Sequence, residues 1–110
     1  MNKFSLEALG RDLLERARGQ AAGRAAETVA GGHEHTLRQT VIALTAGSSL
    51  GEHENPGEAT LIVLSGRVRL VAGEVGWEGR DGDLIVIPDR RHVLEALEDS
   101  AVLLTVAVRK

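Results

Sequence analysis

Apolar residues near the start of the chain recur at intervals of three and four, which predicts an amphipathic helix. Its apolar face comprises Leu6, Leu9, Leu13 and Ala17. Ser5 stands where a helix N-cap is expected, and Gly19 stands where the helix would end. We expect this helix to pack on the outside of the domain or on a partner subunit.

From about Ala25 onward the pattern changes to short apolar runs separated by glycines. The runs occupy residues 40–44, 61–64, 68–71, 84–87 and 101–108. Short runs with turns at intervals of roughly 8–12 residues are typical of a β-sandwich or barrel. No helix-length segment interrupts them, which excludes a parallel βαβ architecture. The last run places alternate apolar residues on one strand face, and the charged residues before it predict a hairpin tip at 98–100.

Composition narrows the class of protein. At 110 residues the chain predicts one domain, and the absence of cysteine excludes disulfides and thiolate metal sites. Phe4 and Trp77 are the two aromatic residues and the formal net charge is −3, so we expect no nucleic-acid partner. Neither a signal peptide nor an apolar stretch of membrane-spanning length is recognised, which predicts a cytoplasmic protein with no membrane partner.

Two stretches carry more specific patterns. The first runs from Gly47 to Gly66 and reads GSSLGEHENPGEATLIVLSG; the second runs from Gly82 to His92 and reads GDLIVIPDRRH. Together they resemble the two motifs of the cupin superfamily. In that family a glycine, an H-x-H pair, a glutamate and a closing glycine are followed by a Gly-Asp, a β run, a proline and a histidine. The resemblance spans about residues 37–108 and is to the small single-domain bacterial cupins.

The resemblance implies an all-β fold, a double-stranded β-helix (jelly-roll) cupin barrel with a short N-terminal helix. On this interpretation residues 1–24 form an N-terminal helical segment and residues 25–110 form the cupin β-barrel domain. Small cupins of this kind generally pair as homodimers, often through edge strands, so we expect a homodimer. Such pairing would also cover sheet edges that an open double sheet leaves exposed.

In cupins, histidines and a glutamate from both motifs surround a divalent transition metal inside the barrel. Here His53 keeps the first histidine position and His92 keeps the last, but Asn55 occupies the second. The family glutamate would align with residue 59 or 60. Glu58 lies at least one residue early, and a shift of one residue reverses the direction of a side chain on a strand. Two of the four ligand positions are therefore histidines.

Other polar residues leave alternatives open. One of Arg38 or Gln39 must face the barrel interior, because neighbouring residues of a strand point to opposite faces. Either could line the pocket. His33 and His35 follow two glycines and are expected to be exposed turn residues. Trp77 falls in a glycine-rich hairpin, where we expect it to cover one end of the barrel or to contact a subunit.

Two main functions follow from this incomplete motif. The first is a protein that binds a small molecule, with a weakly held metal or none, in a barrel pocket lined by His53, Asn55, His92 and Gln39. The second is a metal-dependent enzyme of dioxygenase or isomerase type. Its divalent metal would be held weakly by His53, His92 and either Glu58 or water, with Glu58 possible only if the turn before it re-aims the carboxylate. The missing ligands favour the binding protein, and a purely structural module is a third alternative.

Overall fold

The computed structural model describes residues 2–53 and 57–108, and for Glu52 and His53 it describes the backbone alone. Within these ranges the chain forms one α-helix and nine β-strands. In chain order they are α1 (Leu6–Arg18), β1 (Arg24–Gly31), β2 (Leu37–Leu44), β3 (Ser49–His53), β4 (Gly57–Ser65), β5 (Arg67–Ala72), β6 (Val75–Arg80), β7 (Leu84–Ile87), β8 (His92–Ala96) and β9 (Ser100–Val108). No helix in these ranges is long and apolar enough to cross a membrane.

Helix α1 begins and ends where the local sequence predicts. The Ser5 hydroxyl accepts a hydrogen bond from the Ala8 N–H at 3.3 Å, which confirms the N-cap. Gly19 is the C-cap residue. The buried face of the helix, with Leu13 at its centre, packs on the outer face of β1 and β2. The helix therefore covers a sheet of its own chain, and the division of the chain at residue 24 stays a prediction.

The strands form two antiparallel sheets that pack face to face. The larger has the order β1-β2-β9-β4-β7 and the smaller the order β3-β8-β5-β6. The chain crosses repeatedly from one sheet to the other, which is the jelly-roll arrangement expected for an all-β cupin barrel. The two sheets are open at their edges rather than closed into one hydrogen-bonded cylinder.

One expected turn is wrong. Strands β8 and β9 lie in different sheets, so residues 98–100 cross between the sheets instead of forming a hairpin tip. Asp99 fixes this crossing, because its carboxylate accepts hydrogen bonds from the Ala46 N–H at 2.8 Å and from Arg18 at 3.1 Å. The charged segment before β9 is thus hydrogen-bonded to the loop after β2 and to helix α1.

Alternation along each strand sends one set of side chains into the space between the sheets. In β9, Val102 and Val106 are buried there, and Leu104 and Val108 pack against the same cluster, which confirms the predicted alternation. Leu103 points the other way and packs beneath α1. The interior between the sheets is consequently an aliphatic core, and the helix adds a third layer outside the larger sheet.

Candidate functional site

His92 is the buried histidine of the described chain. It begins β8 with 3% of its surface exposed, and the same strand face continues through the buried Leu94 and Ala96. The core position of those two residues sets the direction of His92, because residues two apart on a strand share a face. The second motif-like stretch therefore delivers its histidine to the barrel interior, as the resemblance implied.

A hydrogen bond to a backbone carbonyl selects the tautomer of this ring. His92 Nδ1 lies 2.8 Å from the carbonyl oxygen of Arg90. A carbonyl oxygen can only accept, so Nδ1 carries the hydrogen and donates it. In the neutral ring this leaves a lone pair on Nε2, the form in which histidine accepts a hydrogen bond or binds a metal. Arg90, a residue of the second motif-like stretch, thus contributes to the site through its main chain.

A small cavity lies beside His92 between the two sheets. Its volume is about 20 Å³, enough for about one water molecule. Its lining consists of His92 and aliphatic side chains from both sheets, namely Ile42, Leu50, Leu61, Leu70, Ile87, Leu94 and Leu104. The barrel interior is thus nearly filled, and His92 brings the imidazole into an otherwise apolar wall.

The two motif-like histidines occupy opposed positions in the ladder. His53 is the last residue of β3 and is the register partner of His92 on β8. A register shift separates this pair from the preceding pair of Leu50 and Leu94. Asn55, the other residue expected from the first stretch, lies outside the described residues.

Gln39 does not lie at this cavity. Ile42 and Leu44 are buried between the sheets, so the interior positions of β2 are the even-numbered ones. Gln39 therefore faces the outside of the larger sheet, where its amide donates to the Thr105 hydroxyl at 3.1 Å. The expectation that Gln39 lines the pocket is corrected: the alternation of β2 assigns the interior position to Arg38.

Glu58 is also on the outer face. It is exposed, whereas the next residue of β4, Ala59, is buried in the core with 6% of its surface exposed. The interior position closest to the family glutamate therefore carries a methyl group. Among the described residues, no group of three or more histidine, aspartate or glutamate side chains could hold a metal ion. The described side chains thus do not fit a metal centre with several protein ligands, and Glu58 does not join His92.

The remaining histidines behave as predicted. His33 and His35 are exposed and lie in the turn segment between β1 and β2. Their spacing resembles an H-x-H pair, but neither belongs to a strand that lines the interior. Within the described residues, the two motif-like stretches therefore place one imidazole, that of His92, in the interior. The backbone of His53 lies opposite it.

Comparison with solved structures identifies this architecture. The chain is similar to a protein of unknown function from Streptococcus pyogenes, at 27% identity and a TM-score of 0.73, with 83% of this chain and 79% of that chain covered. It is similar to an RmlC-like cupin from Desulfovibrio desulfuricans, at 26% identity and a TM-score of 0.67, with 76% and 81% covered.

A salicylate 1,2-dioxygenase from Pseudoaminobacter salicylatoxidans matches at 24% identity and a TM-score of 0.76, over 94% of this chain but 34% of that enzyme. No family model and no curated protein matches the sequence. The structural matches confirm the resemblance drawn from the two motifs, and the fold of this chain is that of the cupin superfamily.

Proposed function

We propose that this protein binds a small molecule at the end of the barrel where His92 lies, and that binding requires no metal. The carrying observation is a buried imidazole in an aliphatic wall, with Nδ1 already committed to a carbonyl. The cavity beside it holds about one water. A small group of the ligand would therefore reach His92 while the body of the ligand lies at the barrel end.

We propose the cytoplasm as the location of this protein.

Fragment binding followed by NMR tests this proposal. In two-dimensional spectra of labelled protein, fragments should shift the backbone amides of His92 and Leu94 on β8. His92→Ala should weaken binding by about tenfold or more, as for a lost hydrogen bond in an apolar site. His35→Ala is the matched control, because His35 is exposed in a turn. Fragments that shift only amides outside the barrel, or that bind His92→Ala unchanged, would contradict the proposal.

A metal-dependent enzyme is the second candidate, and the Nε2 lone pair of His92 together with its register partner His53 favours it. We propose for this alternative a divalent transition metal held weakly by the two histidines. Elemental analysis of untagged protein decides between the candidates. Stoichiometric metal that disappears in both His53→Ala and His92→Ala would support the enzyme. Protein that takes up no metal from excess Fe(II), Mn(II), Ni(II) or Zn(II) would overturn it.

We further propose a homodimer formed through the free edge of β7. Leu84 and Val86 on this edge strand are 55% and 71% exposed, and β7 contains no charged residue. The other edge strands carry features that discourage pairing: β1 and β3 each contain a register shift, and β6 carries Glu78 among glycines. Trp77 lines the groove beside Leu84 and Val86, and we propose that it contributes to this subunit contact.

Hydrogen bonding along β7 selects one register for this dimer. The Val63 N–H donates to the Asp83 carbonyl at 2.9 Å, and bonded pairs alternate along an antiparallel ladder. Ile85 therefore bonds to β4, while the backbone groups of Leu84 and Val86 point to the free edge. A twofold axis at Ile85 pairs Leu84 of one chain with Val86 of the other and satisfies these groups.

Sedimentation equilibrium tests the dimer with a lysine at the edge and a lysine elsewhere. Val86→Lys should shift the wild-type dimer to monomer, because two desolvated ammonium groups would lie at the interface. Leu37→Lys is the control, since Leu37 is also exposed but lies on β2, which is not an edge strand. A monomeric wild type, or a Val86→Lys variant that remains dimeric, would overturn this interface.

A further inference from the structure

Arg38 is an arginine on the interior face of the barrel. The buried residues Ile42 and Leu44 fix the interior face of β2, and Arg38 follows the same two-residue alternation. Its register partner on β9 is Val106, which is buried between the sheets. Arg38 is itself partly buried. Its side chain therefore starts from the wall of the barrel and not from the outer surface.

Arg38 lies at the same end of the barrel as His92. In the larger sheet one row of opposed residues runs Arg38, Val106, Ala59 and Ile87. Ile87, at the far end of this row, lines the cavity together with His92. A cationic side chain and a buried imidazole thus border the same end of the interior, with an aliphatic wall between them.

The charge of Arg38 is not compensated within the described structure. Some other arginines do form ion pairs: Arg11 lies 3.0 Å from Glu7, and Arg18 lies 3.1 Å from Asp99. No ion pair or hydrogen bond links the Arg38 side chain to any described residue. In β2 and in β4 to β9, the strand positions on the interior face carry no aspartate or glutamate.

Neutral hydroxyl groups lie on the same strand face as Arg38. Thr40 is two residues along the same face of β2, and its hydroxyl lies 3.2 Å from the hydroxyl of Thr28 on β1. Hydroxyls can donate to an anion but add no charge of their own. The local environment therefore offers one positive charge, neutral donors and an aliphatic surface.

We propose that Arg38 binds the carboxylate of the ligand, which makes the ligand class a small organic acid with a short apolar body. This inference rests on the proposed function. A guanidinium meets a planar carboxylate through two parallel N–H···O bonds, a geometry that lysine cannot reproduce. One guanidinium in an aliphatic wall matches a single negative charge better than the double charge of a phosphate.

NMR titration with butyrate, butyramide and inorganic phosphate tests the inference, on protein freed of metal by dialysis against a chelator. Butyrate and butyramide have almost the same shape and differ in charge. Butyrate should bind more tightly than either other probe and should shift amides around Arg38 and His92. Arg38→Gln should weaken butyrate binding about 10- to 100-fold, as expected for hydrogen bonds to a charged group, and leave butyramide unchanged. Arg38→Lys should restore it only partly.

Arg69→Gln is the matched control, because it removes the same charge from the exposed outer face of β5. It should leave butyrate binding unchanged. Equal binding of butyrate and butyramide at the barrel end, tighter binding of phosphate, or an unchanged Arg38→Gln would overturn the role of Arg38 while the pocket itself stands. If no probe shifts any interior amide, the proposed binding function fails together with this inference.

Discussion

Two glycines of the motif-like stretches share a left-handed backbone conformation but differ in how closely other atoms surround them. Gly66 and Gly82 adopt φ values of +93° and +87°, which L-residues with a side chain rarely adopt. A Cβ added to Gly66 would meet the Asp99 carbonyl oxygen and would lie 2.8 Å from the Ser100 Cα. A Cβ added to Gly82 would meet no atom within 4 Å. The pair therefore separates backbone strain from crowding.

The two alanine variants should differ in stability for this reason. Gly82→Ala should lower the free energy of unfolding by about 1–3 kcal/mol, the cost of a side chain on a left-handed backbone. Gly66→Ala should lose that amount and about 1–3 kcal/mol more, because an overpacked site must displace neighbouring backbone. Each kcal/mol corresponds to a fall in Tm of roughly 4–8 °C for a domain near this size.

Urea denaturation followed by circular dichroism and by the fluorescence of Trp77 measures both variants. If Gly66→Ala does not fold while Gly82→Ala does, the ordering still holds. Equal losses in the two variants would show that the contact with the β8–β9 crossing carries no cost. An unchanged Gly82→Ala would show that the positive φ at this turn is not strained.

Three further perturbations test the structure elsewhere. Ser100→Ala should cost about 1–3 kcal/mol by urea denaturation, because the buried Ser100 hydroxyl accepts from the Arg67 N–H at 3.0 Å and that donor would lose its partner. Leu70→Ala should cost about 2–5 kcal/mol in the same assay by enlarging the interior cavity, since Leu70 is buried and lines it. The hydrogen bond from the Ala46 N–H, followed by that from Arg18, lowers the pKa of Asp99. Because the pKa is lower in the folded state, the ionised carboxylate stabilises the protein at pH values above the unfolded-state pKa. This stabilisation is lost as the pH falls through the folded-state pKa. Wild type should therefore lose more stability than Asp99→Asn in denaturation curves between about pH 5 and pH 2.

Much of the fold follows from local sequence, and the exceptions have physical reasons. The helix was predictable because its apolar spacing and its Ser5 cap agree. Strands β1, β3, β6 and β8 are absent from the predicted apolar runs, because glycines and charged residues interrupt their apolar content. The β8–β9 crossing was mistaken for a hairpin because turn composition does not reveal which sheet a strand joins.

The candidate site divides in the same way. The motif spacing located His92, because a buried strand and a proline precede it in sequence. It did not decide between Arg38 and Gln39, which are both polar, so that only the packing of the rest of β2 fixes the alternation. The Arg90 carbonyl was missed because a main-chain acceptor leaves no signal in residue identity.

The position of the missing carboxylate links these observations. The alternation of β4 places Ala59, and not Thr60 or Glu58, on the interior face. The motif position closest to a metal-ligating glutamate thus lacks negative charge, while Arg38 stands in the same cross-strand row. A glutamate in that row would attract a cation, whereas an arginine repels cations and attracts anions. We therefore expect Arg38 to favour an anionic ligand over a divalent metal. On this proposal the butyrate titration detects binding, and the elemental analysis finds no stoichiometric metal.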